Sequence, residues 1–161
     1  MQKFHYIGYT YLLQMQQLDP HALFSIFEQG DEVVYREHGV EDALENPYVL
    51  MGMVLRGMEN YNIMDNMYKK QYPKEYKKVR RVVQYKYFNR LYSYLTRIDK
   101  ITVESIYRIG ESFEKGSVFL SLDDLRSFFE QLEEYEKCSI IKKFQDLLLE
   151  VPEFPEKKLL I

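Results

Sequence analysis

Pro73-Lys74-Glu75-Tyr76-Lys77-Lys78-Val79-Arg80-Arg81-Val82-Val83-Gln84-Tyr85-Lys86-Tyr87-Phe88-Asn89-Arg90-Leu91-Tyr92-Ser93-Tyr94 is the stretch whose reading decides the fold. Projected at about 100° per residue, Tyr76, Val83, Tyr87, Leu91, Tyr94 and Ile98 fall within roughly one quadrant, the buried stripe of an amphipathic helix. Lys74, Lys77, Lys78 and Arg81 cluster on an arc facing largely away from that stripe, and Lys86, Arg90 and Arg97 group along one flank. Pro73 suits the first helical position, where its missing N–H removes nothing. A long helix with its cations outside the core sets the fold class.

Working upstream, Asn46-Pro47 is a cap-plus-proline start for a helix through Met53, Met58 and Ile63 toward Tyr68. Gly52 and Gly57 inside it allow a neighbouring helix to approach closely. Five of the seven Met lie between Met51 and Met67, which supplies an adaptable apolar surface. That surface fits an irregular core or a deformable docking face. Phe4, Ile7, Tyr11, Met15 and Leu18 recur at helical spacing, and Asp19-Pro20 restarts a helix carrying Leu23, Phe24, Ile26 and Phe27 before Gly30. Asp31 to His38 has strand propensity at Val33-Val34-Tyr35, yet its flanks suit a short helix closed by Gly39.

Downstream, a helix through Val103, Ile106, Tyr107 and Phe113 is expected to end near Lys115-Gly116. Ser121 and Asp124 resemble a capping box and predict the next start. Leu125, Phe128, Leu132 and Tyr135 give one face, continued by Ile141, Phe144 and Leu148 after a break near Cys138-Ser139. Pro152 and Pro155 end regular structure. The expected fold is all-α: a single-domain bundle of six or seven helices over residues 1–151, with a tail over 152–161.

At 161 residues the chain can bury a sizeable core without a metal or disulfide staple. Cys138 is the one cysteine, so an intrachain disulfide is excluded. No basic segment followed by a clean apolar run opens the chain, and no apolar stretch is long enough to cross a bilayer. A cytoplasmic protein without a membrane span is expected. The 15 Tyr, with 10 Phe and no Trp, suit half-buried positions or a surface that meets a partner.

Charge is segregated. Ten of the 22 basic residues lie from Lys69 to Arg97, opposed there by Glu75, while the remaining 12 face 24 acidic residues elsewhere. A local basic field attracts polyanions whatever the net charge of −3. Lys69, Lys70, Lys74, Lys77, Lys78, Arg80 and Arg81, continued by Lys86, Arg90 and Arg97, are the candidate nucleic-acid-binding residues. Cations at this density meet successive phosphates and release counterions. The interleaved Tyr68, Tyr72, Tyr85 and Tyr92 could stack on unpaired bases. Two other readings stay open: an acidic protein partner, or pairing of these cations with the chain's own carboxylates.

Catalytic patterns fail. His5, His21 and His38 lie on separate elements at non-ligand spacings, and one cysteine cannot build a thiolate zinc site. Glu75-Tyr76-Lys77 matches half of a nuclease carboxylate–lysine motif, whose metal needs a second carboxylate on an adjoining strand. Asp123, Asp124, Glu130, Glu133, Glu134 and Glu136 fit a solvated helix face, the first two near a helix N-terminus, and lack EF-hand spacing. No cofactor, metal or small-molecule substrate is expected, and the chain reads as non-enzymatic.

The order of elements resembles the helical small subunit of type I CRISPR surveillance complexes and the helical C-terminal region of their large subunit. The resemblance runs from Pro47 to Leu149. It rests on the apolar helix Pro47-Tyr48-Val49-Leu50-Met51-Gly52-Met53-Val54-Leu55, the basic helix ending Phe88-Asn89-Arg90-Leu91-Tyr92-Ser93-Tyr94-Leu95, and the hairpin through Phe128 and Tyr135. It implies a subunit of a ribonucleoprotein assembly, with other protein subunits as partners, in which Lys74, Lys77, Lys78 and Arg81 hold backbone phosphates. The acidic remainder of the chain departs from that pattern. The rival expectation is a protein-interaction module, an immunity protein or phage-type inhibitor, docking its basic helix on an acidic partner.

Overall fold

A computed structural model of the chain describes residues 45–98 and 113–151, with Arg36, Glu37, Gly39, Glu104, Ile106 and Ile109. Four helices run through these residues: α1 (Pro47–Gln71), α2 (Pro73–Thr96), α3 (Lys115–Glu130) and α4 (Tyr135–Glu150). No strand occurs among the described residues, so the all-α class holds. The count of six or seven helices extends into residues outside this set. So do the helices expected before Gly30, the three histidines and the tail 152–161. Gly39 takes a left-handed φ of 65° and its N–H bonds the Arg36 carbonyl, the closure expected of a glycine there.

The described residues divide between two compact units, Arg36, Glu37, Gly39 and Glu59–Asn89 in one, and 45–58 with those of 90–151 in the other. In the first, α1 and α2 reverse direction across the single residue Tyr72. Proline cannot donate, and it pushes the residue before it out of the helical region, so Pro73 ends α1 and opens α2 together. The reversal is packed with tyrosine. Tyr68 and Tyr76 rings sit 5.4 Å apart, and Tyr61 lies 5.7 Å from Tyr87 and edge-on to Phe88 at 4.9 Å.

In the second unit, Asn46 Oδ1 accepts from the Tyr48 N–H at 3.1 Å, which caps α1 as its sequence requires. Gly57 lets α1 and α2 touch: a Cβ there would stand 2.3 Å from Leu91 Cδ2. Gly52 likewise faces the Phe113 ring. Leu122, Leu125 and Phe129 of α3 and Ile141, Phe144 and Leu148 of α4 are buried, and Tyr92 meets Phe129 edge-on at 5.7 Å. Lys115 Nζ donates to the Val151 carbonyl at 2.8 Å, tying the start of α3 to the end of α4. Val151 is extended, as a residue before proline must be.

The predicted stripe of α2 is correct at every position: Tyr76, Val83, Tyr87, Leu91, Tyr94 and Ile98 are all buried, joined by Phe88 and Leu95. Other expectations are corrected. Helix α3 starts at Lys115, where a helix end was expected, so Ser121 and Asp124 lie mid-helix and form no cap. Asp123 and Asp124 are therefore far from the helix N-terminus. At the true start, Ser117 Oγ donates to the Glu114 carboxylate at 2.8 Å. The break expected at Cys138-Ser139 falls at Gln131–Glu134, where Glu133 adopts φ 59°. Its N–H reaches the Glu130 carbonyl and that of Glu134 reaches Phe129, the paired bonds of a Schellman closure. Of the methionine-rich stretch of α1, Met51, Met53, Met58 and Met64 are buried, while Met67 is 36% exposed.

Candidate nucleic-acid interface

The basic segment sorts into two populations, and a carboxylate missed in the sequence does the sorting. Asp65 belongs to the inner face of α1, following Tyr61 by four residues and preceding Tyr68 by three. It is 6% exposed and accepts four donors: Arg80 Nε at 2.6 Å and Nη2 at 3.1 Å, Tyr76 Oη at 3.0 Å, and Tyr61 Oη at 3.4 Å for the weakest. Lys69 Nζ adds an ion pair at 2.5 Å. Burial pushes the Asp65 carboxyl up, but hydrogen bonds from Arg80, Lys69 and Tyr76 outweigh it and hold it at about 2. Burial, then the nearby charge, pushes the Tyr61 and Tyr76 phenols well above their ordinary value. An acidic residue at an apolar heptad-like position, four residues before Lys69, was the readable sign of this cluster.

Lys69 and Arg80 therefore act as internal partners for Asp65. Lys70, Lys74, Lys77, Lys78 and Arg81 differ: all five are exposed, and no described carboxylate pairs with any of them. They occupy both sides of the Tyr72 reversal, at the end of α1 and in the first turns of α2. Lys86 is half-buried on α2 within the same unit. Arg90 and Arg97 belong to the second unit, where Arg90 Nε donates to Tyr94 Oη at 2.8 Å. Three carboxylates in and between α3 and α4 have local partners: Arg126 bonds Asp123 at 2.9 Å, Lys137 pairs with Glu134, and Lys142 bonds Asp146 at 2.8 Å.

The interleaved tyrosines also separate. Tyr68 is buried, with its phenol pushed up to about 12 by burial, Tyr72 is half-buried, and Tyr92 packs on Phe129. Tyr85 is 40% exposed on α2. Cys138 is buried, with its thiol pushed up by burial. No cluster of His, Cys, Asp or Glu among the described residues is arranged to hold a metal ion. No helix among them is long and apolar enough to cross a membrane. Comparison with protein-family models, with curated proteins and with solved structures gives no match.

Proposed function

We propose that this chain is a non-enzymatic helical subunit that binds the nucleic-acid backbone through the Tyr72 reversal and the outer face of α2. The observation that carries this reading is the exposed set Lys70, Lys74, Lys77, Lys78 and Arg81, none paired with a described carboxylate. Three of these, Lys74, Lys77 and Lys78, stand in the first turns of α2, where the helix macrodipole is already positive. Such placement works against local stability and in favour of anion capture. The same tip carries Glu75 as its acidic residue, too little to balance them.

Lys69 and Arg80 adjoin this patch in sequence, with their charge taken up by Asp65. The setting we propose is a cytoplasmic assembly in which several protein subunits share one nucleic acid, of the CRISPR type that the order of elements resembles. A labelled oligonucleotide titrated across a salt series tests the reading. Affinity should fall steeply with salt, and combined reversal to Glu at Lys74, Lys77, Lys78 and Arg81 should abolish it. Absence of binding to DNA and RNA at about 50 mM salt would pass the patch to an acidic protein partner.

A further inference from the structure

The reversal around Tyr72 presents Lys70, Lys74, Lys77, Lys78 and Arg81 as cations paired with no described carboxylate. The turn between α3 and α4 is its opposite. Residues 130–136 carry four carboxylates, Glu130, Glu133, Glu134 and Glu136, and no cation. Arg126 takes Glu130 and Lys137 takes Glu134. Glu133 and Glu136 are exposed and pair with no described cation. Tyr135 stands between them, 66% exposed. This turn thus sets a phenol ring between two open carboxylates.

We infer that the α3–α4 turn of a second copy docks on the basic reversal and occupies it in competition with nucleic acid. The competition rests on the nucleic-acid reading above, whereas the association does not. Two basic reversals repel each other, and so do two acidic turns, which leaves the unlike pair as the attractive one. The contact therefore joins two different surfaces of the copies. Solvated ion pairs contribute little by themselves, so an apolar anchor is needed. Tyrosine is favoured in that place. Tyr135 is the anchor, and Val82, 48% exposed and one turn beyond Lys78, is the apolar surface that receives its ring. Negative groups flanking a planar ring are also what a nucleotide strand offers, so both ligands suit one patch.

Sedimentation velocity of the full chain over a concentration series tests the docking. The mass should rise with concentration at about 30 mM salt and return to that of one chain at about 500 mM, where screening removes the attraction. Glu133→Lys with Glu136→Lys should hold the chain monomeric, and so should Lys74→Glu, Lys77→Glu, Lys78→Glu and Arg81→Glu together. A mixture of the two variants should associate, because one keeps the basic reversal and the other the acidic turn. Misfolded variants would not recover in this way. Tyr135→Ala, a milder change, should weaken association about tenfold. Oligothymidylate should disperse the parent's complexes and bind the Glu133→Lys, Glu136→Lys variant no more weakly than the parent. A parent that stays monomeric at about 30 mM salt, or a Glu133→Lys, Glu136→Lys variant that associates like it, overturns the docking and leaves nucleic-acid binding standing. Oligothymidylate bound to complexes that persist overturns the shared patch. Association of a chain that binds no oligonucleotide overturns the nucleic-acid reading and leaves the docking standing.

Discussion

The Arg80 guanidinium grips the Asp65 carboxylate with two bonds, Nε to Oδ1 at 2.6 Å and Nη2 to Oδ2 at 3.1 Å. The carboxylate is buried and belongs to the other helix of the reversal. Replacing it by an amide leaves two cations without their counter-charge and one acceptor oxygen where there were two, with an NH2 donor turned toward them. Both cations are over a third exposed, so water recovers part of the loss. Asp65→Asn is expected to cost about 2 to 3 kcal/mol. Urea unfolding of the two proteins measures it, and an unchanged midpoint would contradict the assignment.

The same cluster sets the pH range of the fold. Asp65 sits at about 2 when folded, below the 3.8 of an unstrained carboxyl, so its contribution is present above pH 4. It is lost as pH falls toward 2 and amounts to about 2 kcal/mol. Tyr61, Tyr68 and Tyr76 lie above 10 when folded, so their contribution is complete below pH 10 and declines beyond it. Denaturant midpoints across pH should show both limbs. In Asp65→Asn the acid limb should flatten.

Arg80 and Arg81 are adjacent in sequence and opposite in role. Arg81→Gln should leave stability within about 0.5 kcal/mol of the parent. It should also reduce the slope of log affinity against log salt by about one. Arg80→Gln should lower the unfolding midpoint. Measuring both quantities for both variants separates phosphate contact from internal pairing.

Gly57 has no room for a methyl group, because Leu91 is buried and its Cδ2 would lie 2.3 Å from a new Cβ. Gly57→Ala should cost about 1 to 3 kcal/mol. Leu91→Val removes the clashing atoms, so the double variant should lose less than the sum of the singles. Strict additivity would mean the two helices part here without difficulty.

Glu133 holds a left-handed φ of 59° that a side chain tolerates poorly. Glu133→Gly should raise stability by about 0.5 to 1 kcal/mol, the relieved strain being larger than the added chain entropy. Thermal unfolding reads the gain, and a fall in Tm would refute the strain.

Periodicity located α2 and its stripe because every core position from Tyr76 to Ile98 is apolar or Tyr, while the opposite face is charged. The proline starts at 47 and 73 were equally legible, since their effect on the chain is local. The α3 boundaries were not, because Lys115 is fixed by a bond to Val151, 36 residues away, and Glu133 closes a helix without the usual glycine. At the candidate site the cations were readable as a group. Their division into bound and exposed was hidden, since it depends on Asp65 meeting Arg80 across a turn. Counting charges treats Lys69 and Lys70 alike, whereas their helical angles differ by 100° and place one of them on the carboxylate.

The chain's lone thiol, Cys138, is shut between α3 and α4 with Sγ 3.7 Å from the Arg126 carbonyl. A reagent that alkylates sulfur can reach it when those two helices part. Its labelling rate in native buffer is therefore a built-in clock for local opening of that hairpin, one that needs no engineered probe.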